Sequence, residues 1–200
     1  MERQAFPIVI SGPSGVGKTT IARRILAADP GTAYSVSVTT RPPRPGEENR
    51  QDYEFVSDRE FDELVAAGEL AEWAVVHCYR YGTRKRAIEE TTRSGKDVVM
   101  DVDIQGGMSI KRLYPESVLI FILPPSGEVL ERRLRARATD CEEVIETRLR
   151  NAIEELRHAA RYDYQVVNDN LDEAVRRVEA IIEAERRKGI EWSRSRRATS

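Results

Sequence analysis

Four short apolar runs recur along the chain: FPIVI (Phe6–Ile10), DVVMDVD (Asp97–Asp103), SVLIFIL (Ser117–Leu123) and YQVVN (Tyr164–Asn168). They are nearly unbroken rather than alternating, which is the pattern of strands buried on both faces. Each is followed by residues with helical spacing. The alternation predicts an α/β fold, a parallel sheet with helices on both faces. Three helix starts are legible as an N-cap side chain with a carboxylate three residues later: Ser57 with Glu60, Asp140 with Glu143, and Asn170 with Glu173. Beyond Asn170, apolar Ala174, Val175, Val178, Ile181 and Ile182 fall at three- and four-residue spacings, predicting an amphipathic helix against the core.

Two segments break this rhythm. Tyr34 to Lys96 is rich in Arg, Glu, Tyr and turn residues, and reads as an insertion between the first helix and the next buried strand. Ser126 to Arg150 is dominated by Arg and Glu at helical spacing and has too few apolar residues for a core of its own. Both are expected to act as mobile flaps on a rigid sheet. The basic, polar stretch from Arg187 to Ser200 reads as a frayed tail. The resulting division is core at 1–33, 97–125 and 151–186, with an inserted subdomain at 34–96, a lid at 126–150 and a tail at 187–200.

Composition narrows the classes. The 200 residues suffice for one domain with a sizeable core. A third of the residues are charged, yet the net charge is only −2, so no global field draws nucleic acid or an anionic membrane, and any anion site must be local. No apolar run approaches the roughly 20 residues of a membrane span. Cys78 and Cys141 lie far apart without metal-ligand spacing or a signal peptide, which fits a reducing cytoplasm.

The first apolar run leads into GPSGVGKT, Gly12 to Thr19, which fits G-x-x-x-x-G-K-[ST] between a strand and a helix. Across Gly12, Pro13, Ser14, Gly15, Val16 and Gly17 the backbone curls so that successive N–H groups point inward, and the following helix adds its positive end. Such a P-loop holds the β-phosphate of a nucleoside triphosphate. Lys18 is in reach of the β- and γ-oxygens, and the Thr19 hydroxyl is suited to ligating Mg²⁺. Asp101 closes a buried strand as a Walker-B acid would, and is expected to act on Mg²⁺ through water. The motif says nothing of the acceptor, because motors, GTPases and small-molecule kinases share it. A guanine-reading N-K-x-D, which a GTPase needs, is absent from the chain.

Within the insertion, Arg41, Arg44 and Tyr53 lie close to turn-forming Pro42, Pro43, Pro45 and Gly46. Two guanidiniums on a stiff segment, with a phenol beside them, make a grip for a phosphate dianion. The same two arginines are also what a solvated basic loop contains.

Further motifs decide between these readings. The phosphate loop, TTRPPRPGE, DYEF, AEWA, YGT, DVDIQG, PPS and VND follow one another in the order and spacing of the guanylate kinases, which the chain resembles from about Phe6 to Arg186. The resemblance implies a P-loop fold with an inserted NMP-binding subdomain and a helical lid. It also implies Mg²⁺-dependent transfer of the γ-phosphoryl of ATP to GMP, and to dGMP. Guanine presents N1–H and its exocyclic amine as adjacent donors, which one carboxylate accepts side by side, whereas N1 of adenine is an acceptor. The resemblance assigns that carboxylate to Glu72. It further implies hydroxyl contacts to the base from Ser37 and Thr83, with Asp103 helping to fix it, and a grip on the GMP phosphate by Arg41, Arg44, Tyr53 and Tyr81. Arg137 and Arg148 would swing over the ATP phosphates, and Asn168 would lie near adenine. Lys18, Arg41, Arg137 and Arg148 are then the expected catalytic cations.

The phosphate acceptor is already ionised near neutral pH, so in-line placement, Mg²⁺ and charge neutralisation suffice without a strong base. The expected partners are these small substrates, with neither membrane nor nucleic acid. The chain departs from the family pattern at Ala136 and Ala138, where glycines flank the arginine, at Tyr79-Arg80 before YGT, and at Asn170, where Asp is common. Two rival readings stay open here: a guanylate-kinase-like peptide-binding module, and a P-loop kinase for a sugar phosphate, which would not need Glu72.

Overall fold

The computed structural model describes residues 4–76, 78–136 and 142–197. In chain order, strand β1 (Pro7–Ser11) leads through the glycine loop into helix α1 (Lys18–Ala28) and strand β2 (Thr32–Tyr34). Then come β3 (Val38–Thr39), β4 (Glu54–Phe55), α2 (Asp58–Ala66), β5 (Leu70–Val76), β6 (Tyr79–Arg84) and α3 (Lys85–Arg93). The remainder is β7 (Asp97–Asp101), α4 (Ile104–Leu113), β8 (Val118–Leu123), α5 (Gly127–Arg135), α6 (Glu142–Leu156), β9 (Tyr164–Val167) and α7 (Leu171–Arg197).

The main sheet has the order β2-β7-β1-β8-β9 and is parallel throughout. Its central strand β1 is buried at every position, as its unbroken apolar sequence requires. On one face Ile8, Ile10 and Ile120 pack against Ile21 and Ile25 of α1 and Val175, Val178 and Ile182 of α7. On the other, Val9, Met100 and Phe121 pack against Ile88 of α3, Ile110 of α4 and Tyr162. Sheet and helices thus form the layered α/β core that the apolar runs predict.

A second sheet, ordered β4-β3-β6-β5, is antiparallel except for β3 beside β4. Helix α2 covers it through Phe61, which packs with Val38 and Leu70. Its start is a full capping box between Ser57 and Glu60. Of the stretch from Tyr34 to Lys96, this sheet and α2 occupy residues 38–84. Tyr34 ends a strand of the main sheet, and α3 lies on the core through Ile88.

Helix α5 buries Leu130 and Leu134 in the main core, and α6 buries Ile145 and Ala152. Asn170 caps α7 by accepting from the Glu173 N–H at 3.1 Å. Where a polar tail is expected, α7 instead runs on to Arg197. That stretch lacks proline, and the pairs Glu183–Arg187 and Glu185–Lys188 support the turn that leaves the core. Arg137, Asp140, Cys141 and His77 lie outside the described residues, and the helix start expected at Asp140 lies there with them. Among the described residues no helix is long and apolar enough to cross a membrane.

Candidate active site

The glycine loop sits where β1 ends and α1 begins. Gly12 has φ +142°, and a Cβ there would stand 2.4 Å from the Ile122 carbonyl oxygen, so the loop starts wedged against β8. Gly17, at φ 95° and ψ 19°, turns the chain into α1 without any side-chain cap. The first turn of α1 therefore gathers uncapped N–H groups around Lys18 and holds no acidic residue. Placing a lysine at the positive end of a helix is unfavourable unless an anion joins them, which makes this a phosphate site. Lys18 Nζ donates to the carbonyl oxygens of Gly12 (2.7 Å) and Pro13 (3.1 Å). Pro13, Ser14, Gly15 and Val16 complete the curl, with Gly15 lying against Leu134 of α5.

Beside the loop, the Thr19 hydroxyl donates to Asp101 Oδ2 at 2.6 Å. Burial raises the pKa of Asp101, while nearby Lys18 opposes the rise. A hydroxyl and a carboxylate are hard oxygen donors that suit Mg²⁺, so the pair fits that ion. Glu155, at the end of α6, faces the same region. Burial raises its pKa, Lys18 lowers it and Asp103 adds to the rise.

A second cluster lies where the two sheets meet. Glu72 on β5 and Thr83 on β6 are both buried, and the Thr83 hydroxyl donates to Glu72 Oε1 at 2.5 Å. Burial, helped by the charge of Asp103 and opposed by the Thr83 bond, pushes the Glu72 carboxyl up to about 7. Asp103 N-caps α4 by accepting from the Gly106 N–H at 2.7 Å. Ser37 lies half-buried just before β3.

Farther along the same sheet, Arg41 is buried with its guanidinium 5.1 Å from the ring centre of Tyr53 and 5.8 Å from that of Phe55. Tyr53 and Tyr81 meet edge to face at 6.0 Å. Glu47 organises this group: its Oε1 accepts from Arg41 Nη2 at 2.8 Å and its Oε2 from the Arg44 N–H at 2.7 Å. Arg41 in return lowers the pKa of Glu47. The Arg44 side chain is exposed.

Arg148 lies half-buried on α6, and Arg137 is outside the described residues. Asn168 is buried behind the loop rather than open beside it. Its Nδ2 donates to the Val16 carbonyl at 2.7 Å, and a Cβ on Gly17 would stand 2.7 Å from that nitrogen. Its position between β9 and the loop makes Asn168 a brace.

Three of these groups carry no expectation from the sequence: Glu47 in its clamp, Glu155, and the bracing by Asn168. The signal for Glu47 was local, an acid three residues beyond Arg44 across a Pro-Gly turn. Those for Glu155 and Asn168 arise only in three dimensions.

Comparison with known proteins agrees with this geometry. The family model described as Guanylate kinase matches residues 4–185. A guanylate kinase of Symbiobacterium thermophilum is 46% identical over 183 residues, covering 92% of this chain and 87% of that protein. One from Gloeobacter violaceus is 50% identical over 175 residues, covering 88% and 85%. Among solved structures, guanylate kinase from Anaplasma phagocytophilum superposes with a TM-score of 0.76 at 34% identity, covering 92% of this chain and 88% of that one. With a match that spans nearly every described residue, and both the phosphate loop and the second sheet within it, this chain belongs to the guanylate kinase family.

Proposed function

We propose that this chain is a guanylate kinase, transferring the γ-phosphoryl group of ATP to GMP, and to dGMP, to give ADP and GDP. The observation that carries the acceptor is the buried Glu72 carboxylate held by Thr83. A carboxylate removed from water needs partners, and the paired N–H donors of guanine supply them. A sugar phosphate would leave Glu72 without a role. Ser37 and Asp103 complete the base contacts. Arg41, Arg44, Tyr53 and Tyr81 hold the GMP phosphate, with Glu47 keeping Arg41 aimed.

The loop of Gly12, Pro13, Ser14, Gly15, Val16 and Gly17 wraps the ATP phosphates, every residue but Pro13 having an N–H to offer, and Lys18 spans the β- and γ-oxygens. Thr19 would hold Mg²⁺, with Asp101 acting on it through water, and the ion would supply charge neutralisation for the phosphoryl transfer. Among the described residues no three His, Cys, Asp or Glu side chains converge on a metal site, so most ligands would come from nucleotide and water. A GMP phosphate oxygen attacks the γ-phosphorus while the bond to the β–γ bridging oxygen breaks, and that oxygen leaves on ADP. Lys18, Arg41, Arg137 and Arg148 offset the charge shifting across the transferring group. Asn168 acts on ATP through the loop it braces.

The subdomain carrying Glu72 and the α5–α6 arm carrying Arg148 close over both nucleotides, excluding water that would otherwise take the phosphoryl group. The cytoplasm, which supplies both nucleotides, is the proposed setting. The test is ADP release with ATP, Mg²⁺ and each of GMP, dGMP, AMP, UMP and CMP, for this chain and for Glu72→Ala. Turnover confined to guanine acceptors and weakened in the variant is expected. Equal turnover with AMP, or an unchanged variant, would overturn the reading. Labels on α2 and α5 should approach one another when both nucleotides are added, and an unchanged distance would refute closure.

A further inference from the structure

The Glu72 carboxylate is pinned from two sides. Thr83 holds Oε1, and Oε2 rests against the first turn of α4 at Gly106. A Cβ on Gly106 would stand 2.8 Å from Glu72 Oε2, 3.2 Å from its carboxyl carbon and 3.2 Å from Asp103 Oδ1. The first distance is shorter than carbon and oxygen approach without a bond, so any side chain here displaces the carboxylate. Gly106 does not have a positive φ, so its backbone makes no demand for glycine. Its neighbour Gly107 differs, because a Cβ there would meet the Tyr162 hydroxyl at 2.7 Å and Val9 at 3.3 Å in the core. Glycine at the third position of a helix costs about 1 kcal/mol relative to alanine. The fold accepts that cost where the three atoms nearest to such a Cβ all belong to two carboxylates.

We propose that Gly106 is a specificity-determining, positioning residue for guanine: its missing side chain is what lets the base-reading carboxylate seat between Thr83 and α4. The inference rests on the reading of Glu72 given above. With a methyl group in that place, Oε2 swings away and only one guanine N–H is met, while the phosphate clamp and the ATP loop are untouched.

The experiment is Gly106→Ala, alone and combined with Glu72→Ala, with KM and kcat measured for GMP and ATP and the melting temperature recorded. Gly106→Ala is expected to raise the GMP KM at least about tenfold. It should change kcat and the ATP KM by less than about threefold and leave the melting temperature equal or higher. Added to Glu72→Ala, it should change the GMP KM by less than twofold, because the group it displaces is gone. Gly106→Ala with Glu72→Asp, whose shorter side chain clears the methyl, should recover part of the loss. An unchanged GMP KM, an equal rise in both backgrounds, or a lowered melting temperature with ATP and GMP constants rising together would each overturn the proposal. If Glu72→Ala alone left the GMP KM unchanged, the assignment of Glu72 itself would fall instead.

Discussion

Glu72 and Glu47 are carboxylates with opposite surroundings, and their titrations differ accordingly. Burial lifts Glu72 to about 7, so near neutrality part of it holds a proton, which the proposed acceptance of two guanine N–H groups requires it to release. GMP affinity should therefore rise as pH climbs from 6 to 8 and level off above. The GMP phosphate, with a second pKa near 6, moves in the same direction. Glu72→Gln is the control, and an identical KM profile in that variant would refute the role of Glu72. For folding the sign is reversed. Between about 4.5 and 7 the native state keeps a proton that the unfolded chain has lost, so Glu72 makes the protein less stable as pH rises through that window. Glu47 is held by Arg41, which lowers its pKa, so it stays ionised across the same range. Glu47→Gln should raise the GMP KM roughly tenfold with little change in the ATP KM, because a charge-assisted partner of Arg41 is lost. Steady-state kinetics with each substrate varied in turn will check this.

Among the elements, the glycine loop and the second sheet tolerate change differently. In Gly12→Ala a backbone with φ +142° would also drive a methyl group into the Ile122 carbonyl. The variant should lose ATP binding and more than about 2 kcal/mol of stability. Gly46→Ala, at φ +87° with nothing within 4 Å, carries only the backbone penalty of about 1 kcal/mol and should keep ATP binding. Denaturation of both variants with and without ATP separates steric conflict from strain. These elements also differ in how plainly the sequence announces them. The strands β1, β7 and β8 are covered on both faces and write themselves as apolar runs, whereas β9, read from the same kind of run, is an edge strand that buries only Val166 and leaves Gln165 and Val167 exposed. By contrast β2, β3 and β4 span only two or three residues, and β5 and β6 interleave Glu72, Tyr81 and Thr83 with exposed Trp73 and Val75. No period survives such mixing. The phosphate loop is likewise legible because its groups are consecutive. The proposed guanine cluster draws Glu72, Thr83 and Gly106 from three elements, so only resemblance to a family reached it, and Gly106 entered only as the last letter of DVDIQG, without a role.

Across the whole molecule, one ion-pair group ties the last helix to the start of the sheet. Arg186 on α7 bonds Asp97 Oδ2 at 2.8 Å and lies 2.6 Å from Asp29 Oδ2, while the fully buried Asp97 also accepts from the Phe6 N–H at 3.1 Å. Arg186→Ala removes a cation from a carboxylate with no access to water and should cost about 3 kcal/mol. A urea midpoint lowered without any change in the GMP or ATP KM is the expected outcome, and an unshifted midpoint would show that the pair contributes nothing. The strand order has a consequence for biosynthesis. β1 emerges first, yet its neighbours β7 and β8 follow some ninety and more residues later, and the Asn168 bond to Val16 spans 152 residues. The hairpin of β5 and β6, by contrast, closes over a few residues and can form as soon as it is made. On the proposed reading, a growing chain therefore owns the pieces of its base pocket before its triphosphate cradle is braced. Fragments ending before Asn168 should capture no ATP however long they wait, because the proposed phosphate loop has not yet met its brace.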